Sequence, residues 1–263
     1  MLEPLTLPFM QRALLGGLMV GFLASYYGPF IVQRQLAFLG SGLAHAAFGG
    51  VALGILLNQQ PLWVAVPFTV AVSLAIVWVR ERSRLGSDTI IGIFFAVSMA
   101  LGIVFLSWTD GYTSDAFTYL FGSLLAVTQA DLWTTAGVVV LTFLTFPLWR
   151  HWAYASFDRS LARADHLPVM RHDYVLAVAI AVVVVVSIKV AGIVMIAAFL
   201  VMPAATARML TRTFAAMTVV SVAVGMSTVL IGLYASYYAD LPSGPAVILT
   251  QAAVLAVAVA VRR

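Results

Sequence analysis

The sequence contains no cysteine, which excludes disulfides, thiolate metal sites and cysteine nucleophiles. Charge is scarce as well: 9% of the 263 residues are charged, against roughly a quarter in a soluble domain. The one lysine, Lys189, lies in an apolar stretch, so no Gly-x-x-x-x-Gly-Lys-Ser/Thr loop is available to cradle ATP. His-Glu-x-x-His, a nucleophile elbow and paired carboxylates within an apolar run are also missing, so no enzymatic function is expected of this chain. The start, Met1-Leu2-Glu3-Pro4, lacks the basic region of a signal peptide, and the first apolar run is expected to be retained.

What is abundant is apolar surface. Hydrophobic residues make up 63% of the chain and the mean hydropathy is +1.05. No water-soluble fold of this length hides so much, and the fold class is an all-α integral membrane protein. A net charge of +4 does not point to nucleic acid, because the basic residues sit between apolar runs rather than in a patch.

A crossing helix needs about 20 apolar residues. Such stretches lie near 9–31, 37–57, 61–79, 88–108, 132–149, 173–188, 190–207, 213–235 and 245–261. They predict a helical bundle of about nine crossings, with eight and ten as bounds, forming a single domain over 1–263. Residues 174–207 would run roughly 50 Å as one helix, too far for a hydrocarbon core of roughly 30 Å. A break is therefore expected between Ser187 and Gly192, with Lys189 at a helix C-terminus and Pro203 marking a second irregularity.

Twelve of the 14 basic residues fall at alternate junctions: Arg34, Arg80, Arg82, Arg84, Arg150, Arg159, Arg163, Arg171, Arg208, Arg212, Arg262 and Arg263. By the positive-inside rule these face the cytoplasm, which puts the N-terminus outside and the C-terminus inside. Residues 109–131 then lie outside, and the apolar run 119–128 reads as a re-entrant or interfacial helix. Residues 150–172 lie inside, where Phe157 to Ala164 fits a short amphipathic helix. It suits either the lipid surface or a cytoplasmic partner.

The second apolar run carries the most chemistry. Ser41, His45 and Gly49 recur every four residues and share a helix face, beside a stripe of small residues at Gly42, Ala46, Gly50 and Gly54. Small stripes let membrane helices pack backbone to backbone, whereas a histidine at membrane depth marks an ion path or bonds a neighbouring helix. Neutral imidazole is a good transition-metal ligand. Asp88 is expected as the N-cap of the fourth run, and Asp240 belongs to an outer turn with Pro242, Gly244 and Pro245, a gate being the alternative.

Five segments in order resemble the membrane permease subunits of bacterial ABC importers for zinc, manganese and iron(II), with the zinc-uptake permeases as the nearest branch. They are Gly40–Gly50 around His45; Asp88-Thr89-Ile90-Ile91-Gly92-Ile93; Tyr119 to Thr128; Lys189-Val190-Ala191-Gly192 with Pro203 to Arg208; and Pro242-Ser243-Gly244-Pro245. The resemblance implies a multi-pass protein of the bacterial cytoplasmic membrane, working as a homodimer or paired permease. It implies a cytoplasmic ABC ATPase dimer that uses the ATP, and an extracytoplasmic solute-binding protein. The transported metal would pass His45 and Ser41, no cofactor would be bound by this chain, and Phe157, Asp158, Leu161 and Ala162 would couple to the ATPase. Asp88, Lys189, Pro203 and Asp240 would be structural or gating residues. Two positions depart from the family pattern: Ser41 and Ser123 stand where many members carry aspartate, and a hydroxyl is a weaker ligand for a divalent cation. The alternatives are a permease for a metal chelate or other small nutrient, and an ATPase-independent secondary transporter.

Overall fold

The computed structural model describes residues 7–109, 122, 124 and 127–261. Among these it contains eleven α-helices, one short 3₁₀ turn and no strand. The helices are α1 (Pro8–Gln33), α2 (Leu39–Leu56), α3 (Pro61–Arg82), α4 (Ser87–Ser107), α5 (Gln129–Leu144), α6 (Trp149–Phe157), α7 (Arg159–Ala164), α8 (Val169–Ala191), α9 (Ile193–Leu210), α10 (Phe214–Ala239) and α11 (Ser243–Val261). The 3₁₀ turn, Phe146–Leu148, joins α5 to α6.

Seven of these helices are long and apolar enough to cross a membrane, and α5 with the segment Phe146–Phe157, bent by 45°, would be an eighth. The expected nine runs all fall on helices, but they do not yield nine independent long crossings. α5 has 16 residues, about 24 Å of helix, and gives way to the 3₁₀ turn containing Pro147. The expected re-entrant segment lies outside the described residues, apart from Gly122, Leu124, Val127 and Thr128.

The chain breaks where its length demands. α8 ends at Ala191, Gly192 takes a φ of +84° that glycine adopts without a steric penalty, and α9 starts at Ile193. Pro203 does not interrupt its helix. Proline cannot donate to the carbonyl one turn back, yet α9 continues to Leu210. Asp88 is not an N-cap. The helix begins one residue earlier, at Ser87 after Gly86, and Asp88 sits exposed in the first turn, where its charge suits the helix dipole.

Packing places α1, α2 and α8 inside and leaves most of α3, α4 and α11 bare. α1 lies against α5, α8, α9 and α10, while α2 is held between α3, α4 and α9. The small-residue stripe of α2 does what its spacing predicts. A Cβ at Gly50 would lie 2.6 Å from Ala65 Cα, and one at Gly54 would lie 2.8 Å from Pro61 Cα, so α2 and α3 touch backbone to backbone. Gly42 is covered by Ile91 of α4 and Ala46 is fully buried.

Candidate functional site

The polar side of α2 is only partly covered. Phe38, just before the helix, is exposed and Ser41 and His45 are half-buried, while one turn further Gly49 is covered by Phe68 and by the carbonyl of Ser98. His45 Nδ1 lies 2.9 Å from the carbonyl oxygen of Ser41, one turn back. A carbonyl only accepts, so Nδ1 carries the proton and the lone pair of Nε2 is available to a ligand. The ring rests on Phe95 of α4, centroids 4.4 Å apart at 51°, and Phe95 in turn meets Phe38 at 5.9 Å. One nitrogen is thus held by a hydrogen bond and one ring face by an aromatic neighbour, a support that orients a metal-binding imidazole. Ser41 contributes its backbone oxygen to this arrangement.

No group of three His, Asp or Glu side chains that could hold a metal ion occurs among the described residues. Ser123 lies outside the described residues.

At the arginine-rich end, the expected amphipathic helix is divided in two. Asp158 leaves helical geometry (φ −143°, ψ 104°), and its side chain accepts from the N–H groups of Ser160 and Leu161, capping α7. Phe157 thus closes α6, and α7 runs only from Arg159 to Ala164. The Ser160 hydroxyl, 2.6 Å away, and the backbone N–H of Leu161 hold the Asp158 carboxyl below its usual range. Phe157 and Leu161 are 62% and 51% exposed, forming an apolar pair on the surface. Ala162 is fully buried in a small cluster with Ala155 and Val169, so it anchors α7 to the bundle.

A charge cluster that sequence reasoning missed lies beneath α7. Asp173, in the second turn of α8, is 3% exposed and takes Arg34 at 2.6 Å, Arg159 at 2.5 Å and Arg80 at 3.4 Å. Glu81, at the end of α3, accepts from Arg159 and, at 3.2 Å, from Arg163. Arg34 also donates to the Ser156 hydroxyl at 2.8 Å. These residues come from α3, α6, α7, α8 and the end of α1, separations that no local pattern reveals.

At the opposite end Lys189, in the last turn of α8, pairs with Asp131 at 2.7 Å. Asp131 is set by a capping box in which Thr128 and Asp131 bond each other's backbone N–H groups at the start of α5. Asp240 caps α10 in the left-handed conformation, with φ +50°, and forms the expected turn into α11. Among the described residues no hydrogen bond or ion pair joins Asp88, Pro203 or Asp240 to His45 or to α7. The predicted residues thus fall into separate places: His45 with Ser41, the α7 surface, the helix ends of Asp88, Lys189 and Asp240, and Pro203 in the interior of α9.

The model of the ABC 3 transport family matches residues 6–262. The manganese transport system membrane protein MntC of Listeria monocytogenes is 34% identical, over 95% of this chain and 89% of that protein. The high-affinity zinc uptake system membrane protein ZnuB of Haemophilus influenzae is 30% identical, over 91% and 92%. PsaBC from Streptococcus pneumoniae, solved in complex with a Fab, superposes with a TM-score of 0.85 at 31% identity, covering 98% of this chain and 92% of that one. With a family match from end to end and a shared fold, the chain belongs to the ABC 3 transport family.

Proposed function

We propose that the chain is the membrane-spanning permease subunit of an ATP-driven importer that carries a divalent transition metal, manganese or zinc, into the bacterial cytoplasm. The observation that carries this reading is the half-buried imidazole of His45 on α2, its Nδ1 proton committed to the Ser41 carbonyl and its Nε2 lone pair left for a ligand. An ion passing there takes one nitrogen from this chain and completes its shell with the Ser41 hydroxyl, water or a second permease copy. Loose coordination favours passage, because a conduit must release what it binds. The family membership and the metals in the relatives' names support the same cargo class.

In this reading the chain crosses the cytoplasmic membrane about nine times as a single domain, with the run 119–128 re-entrant, the N-terminus outside and the C-terminus inside. Two permeases, identical or paired, stand on a cytoplasmic ABC ATPase dimer, and a solute-binding protein delivers the metal from outside. Hydrolysis belongs to the ATPase chain. Phe157 and Leu161 provide the apolar docking pair, Asp158 caps the helix that carries Leu161, and Ala162 fixes it to the bundle. Asp88, Lys189, Pro203 and Asp240 are supports of helix geometry.

A second cargo, a metal chelate, is favoured by one observation: Ser41 supplies a neutral hydroxyl where a carboxylate would hold a bare cation. Proteoliposomes containing the permease, its ATPase and its binding protein separate the readings. ATP-dependent accumulation of manganese or zinc is the expected result. ATP hydrolysis without accumulation of either ion supports the chelate, and ion-driven flux through the permease alone contradicts an ATP-driven importer.

A further inference from the structure

The docking helix α7 is tied to the rest of the molecule by charge. Both of its arginines reach Glu81, Arg159 also reaches Asp173, and Asp173 takes Arg34 and Arg80. Four guanidinium groups are therefore gathered around two carboxylates, one of them 3% exposed. The excess of positive charge means that each carboxylate restrains arginines that would otherwise repel one another. Withdrawing Asp173 leaves the largely buried Arg34 and Arg80 uncompensated, whereas withdrawing Glu81 frees the more exposed α7 arginines, Arg159 and Arg163, from α3.

From Glu81 the route runs along α3, past Pro67 in the helix interior, to its close contacts with α2. Glu81 lies in the last turn of α3, and α3 meets α2 where Gly50 faces Ala65 and Gly54 faces Pro61. No flexible side chain intervenes at these points, so α3 cannot shift along its length without moving α2. His45 sits on α2, a little more than one turn before Gly50. Beside the cluster lies an open cleft of about 300 Å³, lined by Arg34, Arg80, Phe157 and Arg159.

We propose that Glu81 and Asp173 are positioning residues for transport: Glu81 links the docking helix to α3 and so to the His45 helix, and Asp173 is the hub that holds this link to α1 and α8. This rests on the permease reading above. It assigns to two residues outside the docking surface the task of converting movement of α7 into movement of α2.

The test uses the whole transporter, with its ATPase and binding protein, reconstituted in proteoliposomes. Metal imported and ATP hydrolysed are measured together for wild type, Glu81→Gln, Glu81→Arg, and the charge-swapped pair Glu81→Arg with Arg163→Glu, Arg163 being the α7 arginine that does not bond Asp173. In Glu81→Gln, import is expected to fall about tenfold while hydrolysis continues, so the metal moved per ATP falls by the same factor. The swapped pair is expected to recover at least a third of the wild-type ratio, which loss of folding or assembly alone would not produce. An unchanged ratio in Glu81→Gln overturns the proposal, as does a swapped pair no better than the single Glu81→Arg change. Wild-type complex that imports no metal overturns manganese or zinc as the cargo, whereas wild-type import with an unchanged Glu81→Gln ratio overturns only the link.

Discussion

At one end α8 presents Asp173, 3% exposed, to three arginines drawn from the end of α1, from α3 and from α7; at the other it presents Lys189, a third exposed, to the single carboxylate of Asp131. Sixteen residues, about 24 Å of helix, separate the two. The lysine end is an ordinary closure. A basic residue in the last turn suits the helix dipole, and its partner is already set by a capping box at the start of α5. The arginine end costs more to build, because a carboxylate and several guanidinium groups leave water together, and such clusters add less stability than their number suggests. Their effect is to hold several elements in one arrangement. That distinction fits a molecule in which the arginine end adjoins the proposed docking helix, while the lysine end only fastens α8 to α5.

Removing one partner at each end sharpens the contrast. Asp173→Asn leaves three arginines facing one another around a neutral amide, and a loss of about 3 kcal/mol or more is expected. Thermal unfolding of the purified protein in detergent checks this, and a melting temperature within a degree of wild type would contradict the hub. Lys189→Met breaks a single pair whose buried Asp131 keeps its bonds to Thr128, and the same measurement should register a smaller loss, about 1–2 kcal/mol. A loss equal to that of Asp173→Asn would remove the distinction between the two ends.

The smallest effect concerns the cap of α7. The Asp158 carboxyl is held below its usual range by the Ser160 hydroxyl and by the N–H groups of Leu161 and Ser160. A lowered carboxyl contributes stability that is complete above its ordinary value of about 4 and is lost as pH falls through the lower, folded value. Amide exchange at Ser160 and Leu161 should therefore lose protection only below about pH 4, and Asp158→Asn should abolish that dependence. Protection that declines instead between neutral pH and about pH 5 would show another group at work.

The helices were legible because membrane segments announce themselves by length and apolar character alone. All nine apolar runs lie on helices, and the break after Ala191 followed from the excessive length of residues 174–207. The small stripe of α2 was legible for a similar reason, since its period matches the helix and only backbone contact explains so many small residues. Helix ends were less so. Ser87 joins α4 and leaves Asp88 inside the first turn, and Asp158, expected within an amphipathic helix, interrupts it by capping the next one. The ion-pair cluster was not legible at all. Glu81 and Arg159 stand 78 positions apart, Arg34 and Asp173 stand 139 apart, and only the packing of α1, α3 and α8 brings them together. His45 stood out as a histidine in an apolar run, but Phe95 as its support required the α2–α4 contact.

The central claim is that His45 lies on the metal path, and its most direct test is ATP-dependent uptake of manganese and zinc into proteoliposomes by wild type and His45→Ala. Both complexes are matched for assembly with the ATPase. The account predicts that uptake of the transported ion falls at least tenfold in His45→Ala while the complex remains assembled. Uptake by an assembled His45→Ala complex at the wild-type rate would contradict it.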